Sequence, residues 1–138
     1  MPAVVMKFGG SSVANATAID RVASIVAAEL ARDRSPVVVV SALGGATDAL
    51  LGLARAAVRN DKGAVDASLE ALAARHFEVA RLVAGEDSSL VSTIQAEFHD
   101  LRATLTSLAS VGLPDDRLSD RVAAAGELLS SRIVAAAL

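Results

Sequence analysis

Cysteine, tryptophan and tyrosine are absent from this chain, and phenylalanine occurs only three times. Without cysteine there is no disulfide framework, no thiolate metal site and no cysteine nucleophile. The chain needs no oxidising compartment, and a cytoplasmic location is expected. Without indole or phenol rings, and with a formal charge of −3, it lacks the base-stacking platforms and the positive field that a nucleic-acid partner requires. No apolar run approaches the roughly 20 residues of a membrane span. The opening Met1-Pro2-Ala3-Val4-Val5-Met6-Lys7 is no secretory signal, because no basic segment precedes an apolar one. Neither nucleic acid nor a membrane is an expected partner. Lysine is scarce as well, two against eleven arginines, so the place of each lysine is informative.

Alanine supplies 30 of the 138 residues, and alanine has the lowest helix cost of any residue. The composition is that of a helix-rich globular chain, of a length that fits one domain. Val4 to Phe8 reads as a buried strand running into Gly9-Gly10-Ser11-Ser12. A helix from Asn15 or Thr17 to about Arg32 follows, with Ile19, Val22, Ala23, Val26 and Leu30 on its buried face. Val37-Val38-Val39-Val40 is the clearest strand. Four valines without alternation predict a parallel sheet covered on both faces. The strand leads into Ser41-Ala42-Leu43-Gly44-Gly45-Ala46-Thr47, where Thr47 or Asp48 is placed to cap a helix reaching about Arg59. Residues 1–60 thus form a βαβα core with both small-residue loops at the carboxyl ends of their strands, the edge at which open α/β sheets bind ligands.

Residues 64–111 predict two long helices separated by Gly85-Glu86-Asp87. Val91, Ile94, Phe98, Leu101, Leu105 and Leu108 form a narrow seam suited to one partner helix, which predicts an antiparallel hairpin serving as an insert or lid. A last helix is expected over 119–138, with Val122, Ala125, Leu129, Ile133 and Ala136 on one face. Two parallel strands make a poor sheet on their own. The chain is therefore expected to be part of a larger α/β domain whose other strands lie beyond Leu138.

Three places can carry chemistry. Lys7-Phe8-Gly9-Gly10-Ser11-Ser12 sets a cation beside a turn without side chains. Backbone N–H groups there can approach an anion, and the ammonium can neutralise phosphoryl oxygens. The alternative is an exposed lysine on an edge strand beside an ordinary turn, and the residues alone leave both open. This is neither a GxxxxGK[ST] nor a GxGxxG loop. Ser41 to Asp48 offers hydroxyls and amides for a carboxylate or phosphate, or is a plain turn. Gly126-Glu127 places a glycine inside a helix, either for packing or for close ligand approach. Glu127 there is a solvated side chain or an acceptor for an ammonium. His76 and His99 have no metal-ligand spacing and read as surface or hairpin-contact residues. Glu86-Asp87 and Asp115-Asp116 lie where they can serve helix N-termini. No metal-ligating set is expected.

Three blocks, Lys7-Phe8-Gly9-Gly10-Ser11-Ser12-Val13, Val38 to Leu51 and Gly126-Glu127-Leu128-Leu129-Ser130-Ser131, stand together in an order and spacing that resemble the aspartate kinases of the amino-acid kinase family. Ser11 departs from the threonine more usual there but keeps the hydroxyl. The resemblance implies part of a three-layer α/β fold with a helix-hairpin insert. It also implies ATP-dependent phosphorylation of the L-aspartate side-chain carboxylate to 4-phospho-L-aspartate, on the route to lysine, threonine and methionine. It assigns Lys7 to the transferring phosphoryl group, and Gly9, Gly10 and Ser11 to phosphate. Ser41 and Thr47 go to the aspartate, and Glu127 to its α-ammonium. Mg2+ would be held mainly by a nucleotide-binding half that, like the regulatory ACT domains, lies outside this chain. The chain alone is accordingly expected to have little or no activity, and a homo-oligomer is open. Two other readings stand behind this one. One is a kinase of the same family with another acceptor, against which the Ser41–Thr47 loop argues. The other is a non-catalytic helical module using the Val91–Leu108 seam.

Overall fold

The computed structural model describes residues 1–138, the side chain of Ser88 excepted. Strand β1 (Ala3–Phe8) runs into a 3-10 turn over Gly10–Val13, followed by helix α1 (Ala16–Leu30) and strand β2 (Ser35–Val40). Helices α2 (Ala46–Val58), α3 (Lys62–Ala84), α4 (Ser88–Val111) and α5 (Asp116–Ala137) complete the chain. The two strands pair in parallel, from Ala3 opposite Ser35 to Phe8 opposite Val40. Each expected element is present, with boundaries moved by up to three residues.

The ends of the helices follow from short polar side chains. Asn15 accepts from the Ala18 amide at 2.9 Å, Asp61 from Ala64 at 3.1 Å and Asp115 from Leu118 at 2.9 Å. Asp87 takes both the Ser89 and Leu90 amides, and these N–H groups hold its carboxyl below the usual range. Asp87 and Asp115 thus do the work expected of the two acidic pairs. The Asp61 cap, which the sequence pattern does not announce, starts α3 at Lys62. The expected cap at Thr47 or Asp48 is not formed. Gly45, at φ 80°, occupies that position and supplies no side-chain bond, so Thr47 lies within the first turn, exposed. Helix α1 stops at Leu30, two residues early, because Asp33 turns the chain at φ 58°.

Sheet burial departs from the sequence expectation. Both strands alternate, with Met6, Phe8, Val38 and Val40 packed against the core and Val5, Val37 and Val39 exposed at 71%, 52% and 43%. The described helices cover one face only, so the arrangement is a two-layer one. The valine run reports a strand fit for cover on both sides, and no described element supplies the second. Lys7, opposite Val39, lies on the bare face and is exposed rather than buried in its strand.

The core is continuous from the covered sheet face into the helices, with Val13, Ile19, Leu50, Ile94, Leu108, Leu129 and Ile133 fully enclosed. Five of the six seam residues of α4 are buried and Val91 is half-buried. The seam does not serve one partner: α4 packs on α5 and α2 as well as on α3. The expected hairpin is therefore built into a four-helix cluster, because the leucines of α2 and α5 need the same cover. Two stripe positions differ from the expected ones. Leu30 is 52% exposed, and Glu29 takes the last buried place on α1. Burial works against the Glu29 charge. Bonds from Arg32 and Arg34 at 2.6 and 2.8 Å outweigh it and lower the carboxyl's pKa. On α5, Val134 is buried and Ala136 exposed, since a 3.6-residue helix drifts from a regular three–four alternation.

Of the two expected places for His76 the structure gives the hairpin contact: it is fully buried, and its ring edge meets Phe98 of α4 with centroids 5.5 Å apart. Nδ1 lies 2.8 Å from the Leu72 carbonyl, which can only accept, so Nδ1 carries the proton and Nε2 is left buried without a partner. Burial pushes this imidazole below its ordinary pKa, and the nearby Arg75 charge adds to the shift. The unfolded chain then takes up a proton before the folded one does. Stability contributed by the neutral ring is complete above about pH 6.5 and is lost as pH falls through the lower folded value. Urea unfolding between pH 8 and 5 should show a midpoint that declines below about pH 6.5, and His76→Leu should flatten that part of the curve. A wild-type midpoint constant over the range would contradict the assignment.

Candidate functional site

The strands end side by side: the Ser41 amide donates to the Phe8 carbonyl at 3.0 Å, so both small-residue loops leave the sheet at one edge. The first closes at once into the 3-10 turn, with Ser12 N–H on the Gly9 carbonyl at 2.9 Å. A short turn, and not α1, therefore follows the glycines directly. In the second loop the Ala46 amide reaches the Leu43 carbonyl at 2.8 Å, and Gly45 in left-handed geometry starts α2.

The two loops touch backbone to backbone. A Cβ on Gly10 would stand 3.4 Å from the Ala42 carbonyl oxygen, and one on Gly44 would stand 3.1 Å from the Ala14 Cβ and 3.2 Å from the Gly10 carbonyl oxygen. Glycine at 44 is thus explained by loop-to-loop packing, whereas a Cβ at 10 would make ordinary contact. Gly9 differs, because nothing lies within 4 Å of where its Cβ would be. Open space there leaves room for a ligand to approach the main chain.

Helix α5 closes the site from below. A Cβ on Gly126 would collide with the Ala42 Cβ at 2.8 Å and Leu50 Cδ1 at 2.9 Å, so the helical glycine serves packing. One turn on, the buried Ser130 hydroxyl donates to the Ser41 carbonyl at 2.6 Å and also lies 3.2 Å from the Glu127 carbonyl. Glu127 is thereby fixed beside the Ser41 loop with its side chain exposed. Ser11 and Thr47 are also exposed and Ser41 is half-buried. The structure therefore gathers Gly9, Gly10, Ser11, Ser41, Thr47 and Glu127 around one edge of the sheet, with Lys7 beside them on the bare face.

Two residues of the site have no role assigned to them by the sequence. Ser130 falls four residues after Gly126, on the same helix face, and that spacing is the signal that could find it. Arg75, which reaches the first loop from α3, carries no local signal. Among the described residues no three His, Asp or Glu side chains are grouped so as to hold a metal ion. Among the described residues, no helix is long and apolar enough to cross a membrane.

The family model described as the amino acid kinase family matches residues 2–138. The chain belongs to the amino acid kinase family. Within it, the likeness is to the N-terminal part of aspartokinases over nearly the whole chain. Bifunctional aspartokinase/homoserine dehydrogenase 2 of Arabidopsis thaliana, named as chloroplastic, is 34% identical over 132 residues, which is 94% of this chain and 14% of that protein. The aspartokinase of Mycobacterium tuberculosis is 53% identical over 55 residues, 40% of this chain and 13% of its own. Aspartokinase III of E. coli, solved in complex with lysine and aspartate, superposes with a TM-score of 0.83 at 26% identity, covering 99% of this chain and 28% of that one. The same enzyme in complex with aspartate and ADP gives a TM-score of 0.80 at 25% identity, covering 97% and 28%. The chain thus spans between about a seventh and somewhat over a quarter of these relatives.

The packing reading of Gly126 has a measurable consequence. Gly126→Ala should lower stability by up to about 2 kcal/mol, because overpacking costs about 1–3 kcal/mol against a helix gain of about 1 kcal/mol, and contacts of 2.8 and 2.9 Å put this site at the costly end. Gly52→Ala, in α2 where nothing lies within 4 Å of the added atom, should raise stability by up to about 1 kcal/mol. Urea unfolding of the two variants beside the wild type checks both signs.

Proposed function

We propose that this chain is the aspartate- and phosphoryl-contacting part of an aspartate kinase catalytic domain. The observation that carries the proposal is the meeting of two glycine loops at one sheet edge, with Lys7 on one side and Glu127 on the other. The ADP- and aspartate-bound neighbour supports it. The reaction would move the γ-phosphoryl group of ATP to the side-chain carboxylate of L-aspartate. A carboxylate oxygen forms the new P–O bond while the bond to the ADP oxygen breaks. The acceptor is already ionised, so no general base is required, and the protein contributes positioning and charge stabilisation.

Each residue has a role suited to its place. Lys7, exposed and unencumbered on its strand, faces developing charge on the phosphoryl oxygens. The main chain at Gly9, Gly10 and Ser11 supplies N–H donors to phosphate. The Ser41 and Thr47 hydroxyls hold the aspartate, and the Glu127 carboxylate accepts from its α-ammonium. The donors for Mg2+, which the described residues do not group, and the nucleotide-binding half belong to chain outside these 138 residues. That half would also cover Val5, Val37 and Val39. A cytoplasmic, cysteine-independent enzyme fits this reading. The other family reading, a different acceptor, is an outcome of the test below. The seam module is disfavoured because the α4 seam is already buried within the chain.

Aspartate-dependent ADP release from Mg-ATP tests the reading. It is measured on the 138-residue chain and on a chimera in which residues 1–138 replace the matching segment of a bacterial aspartokinase. The chain alone should be inactive and the chimera active, with Lys7→Ala lowering chimera turnover by roughly 10²-fold, the usual scale for removing a transition-state charge partner. Robust turnover by the chain alone would overturn the half-site. A folded chimera that phosphorylates only another acceptor would overturn the substrate.

A further inference from the structure

Arg75 projects from the middle of α3, in the segment expected to be a separate insert, yet its guanidinium lies at the glycine loops. Nη2 donates to the carbonyl of Ala14 at 3.0 Å, across 61 residues of sequence. Ala14 closes the 3-10 turn of the first loop and is the residue against which Gly44 of the second loop packs. Nη1 lies 4.0 Å from the place a Cβ would take on Gly45, the left-handed residue that begins α2. One planar group thus bonds the end of the first loop and lies alongside the turn of the second. It is half-buried, and among the described residues no carboxylate lies within 4.0 Å of it. An ion pair therefore does not account for its placement.

We propose that Arg75 is a positioning residue that holds the two glycine loops in register and makes α3 part of the site. Its rigid fork matches this role, since one arm satisfies the Ala14 carbonyl while the other fills the space beside Gly45. A lysine has a single donor head and can do only the first. The packing between Gly10, Ala42 and Gly44 involves main chain and small side chains, with little apolar area to hold it. A cross-link from outside the sheet limits the sliding of one loop past the other. The effect on catalysis rests on the aspartate kinase reading; the effect on the loops does not.

Amide hydrogen exchange on the 138-residue chain reads the loops directly, at Ser12 and Ala46, whose amides bond the Gly9 and Leu43 carbonyls. Arg75→Met should speed exchange at both by tenfold or more, with residues 94–108 and 125–134 unchanged. Arg75→Lys should restore protection at Ser12 but not at Ala46. Unchanged protection in the Met variant, or a uniform rise over the whole chain, would overturn the proposal. If the Met variant does not fold, the Lys variant decides: protection equal to wild type at Ala46 overturns the proposal, and loss confined to Ala46 supports it. In the active chimera, Arg75→Met should raise KM for L-aspartate several-fold with a smaller change in kcat, and Arg75→Lys should recover part of it. Loosened loops with KM and kcat both unaltered would overturn the catalytic role and leave the kinase reading standing.

Discussion

The close approach of two loops that have almost no side chains is the constraint on which the site depends. Gly10 lies in contact with Ala42, and Gly44 sits so close to Ala14 and the Gly10 carbonyl that a side chain at 44 would push the loops apart. Backbone polar groups crowded in this way must still be satisfied. Some of the bonds that do so lie within the loops, and two come from outside: Ser130 of α5 donates to Ser41, and Arg75 of α3 to Ala14. Gly126 lets α5 come near enough for the first of these. The helices are thus not merely cover for a small sheet. They set the height and spacing of its carboxyl edge.

Division of labour among the glycines follows. Gly44 is consumed by packing, Gly10 rests in contact with Ala42, and Gly45 makes a left-handed turn. Gly9 alone among these four faces open space and has no left-handed turn to explain it. A glycine-rich stretch is often read as uniformly available to a ligand, but here the availability is concentrated at one residue beside Lys7. The same sorting applies to the hydroxyls. Ser130 is spent on the Ser41 carbonyl, whereas Ser11 and Thr47 are exposed.

Much of this is legible in the residues. Val37–Val40, the break at Gly85-Glu86-Asp87 and the seam from Ile94 to Leu108 place β2, α3 and α4 nearly where they lie, because hydrophobic period and glycine breaks are local signals. The three blocks around Lys7, Ser41 and Gly126 locate the candidate site. What stays hidden depends on partners distant in sequence. Arg75 looks like any helix arginine until Ala14 is brought to it. The buried His76 is one of two histidines that pattern alone cannot distinguish. The bare sheet face is invisible because a valine run records what a strand is fit to bury and not what arrives to bury it. Thr47 has the pattern of a cap, but a left-handed glycine does the same job without a side chain.

That bare face gives Lys7 a second significance. Val5, Val37 and Val39 form an apolar strip on a two-stranded sheet, and each strand has an open edge. Such a surface invites strands of other molecules to add to it, and a lysine on the strip is a common defence. Wherever the sheet stands uncovered, the Lys7 ammonium is placed to oppose such strand addition. On the aspartate kinase reading, once the face is covered it is also the charge set toward the phosphoryl group. On that reading one side chain answers to solubility at one stage in the life of the molecule and to chemistry at another.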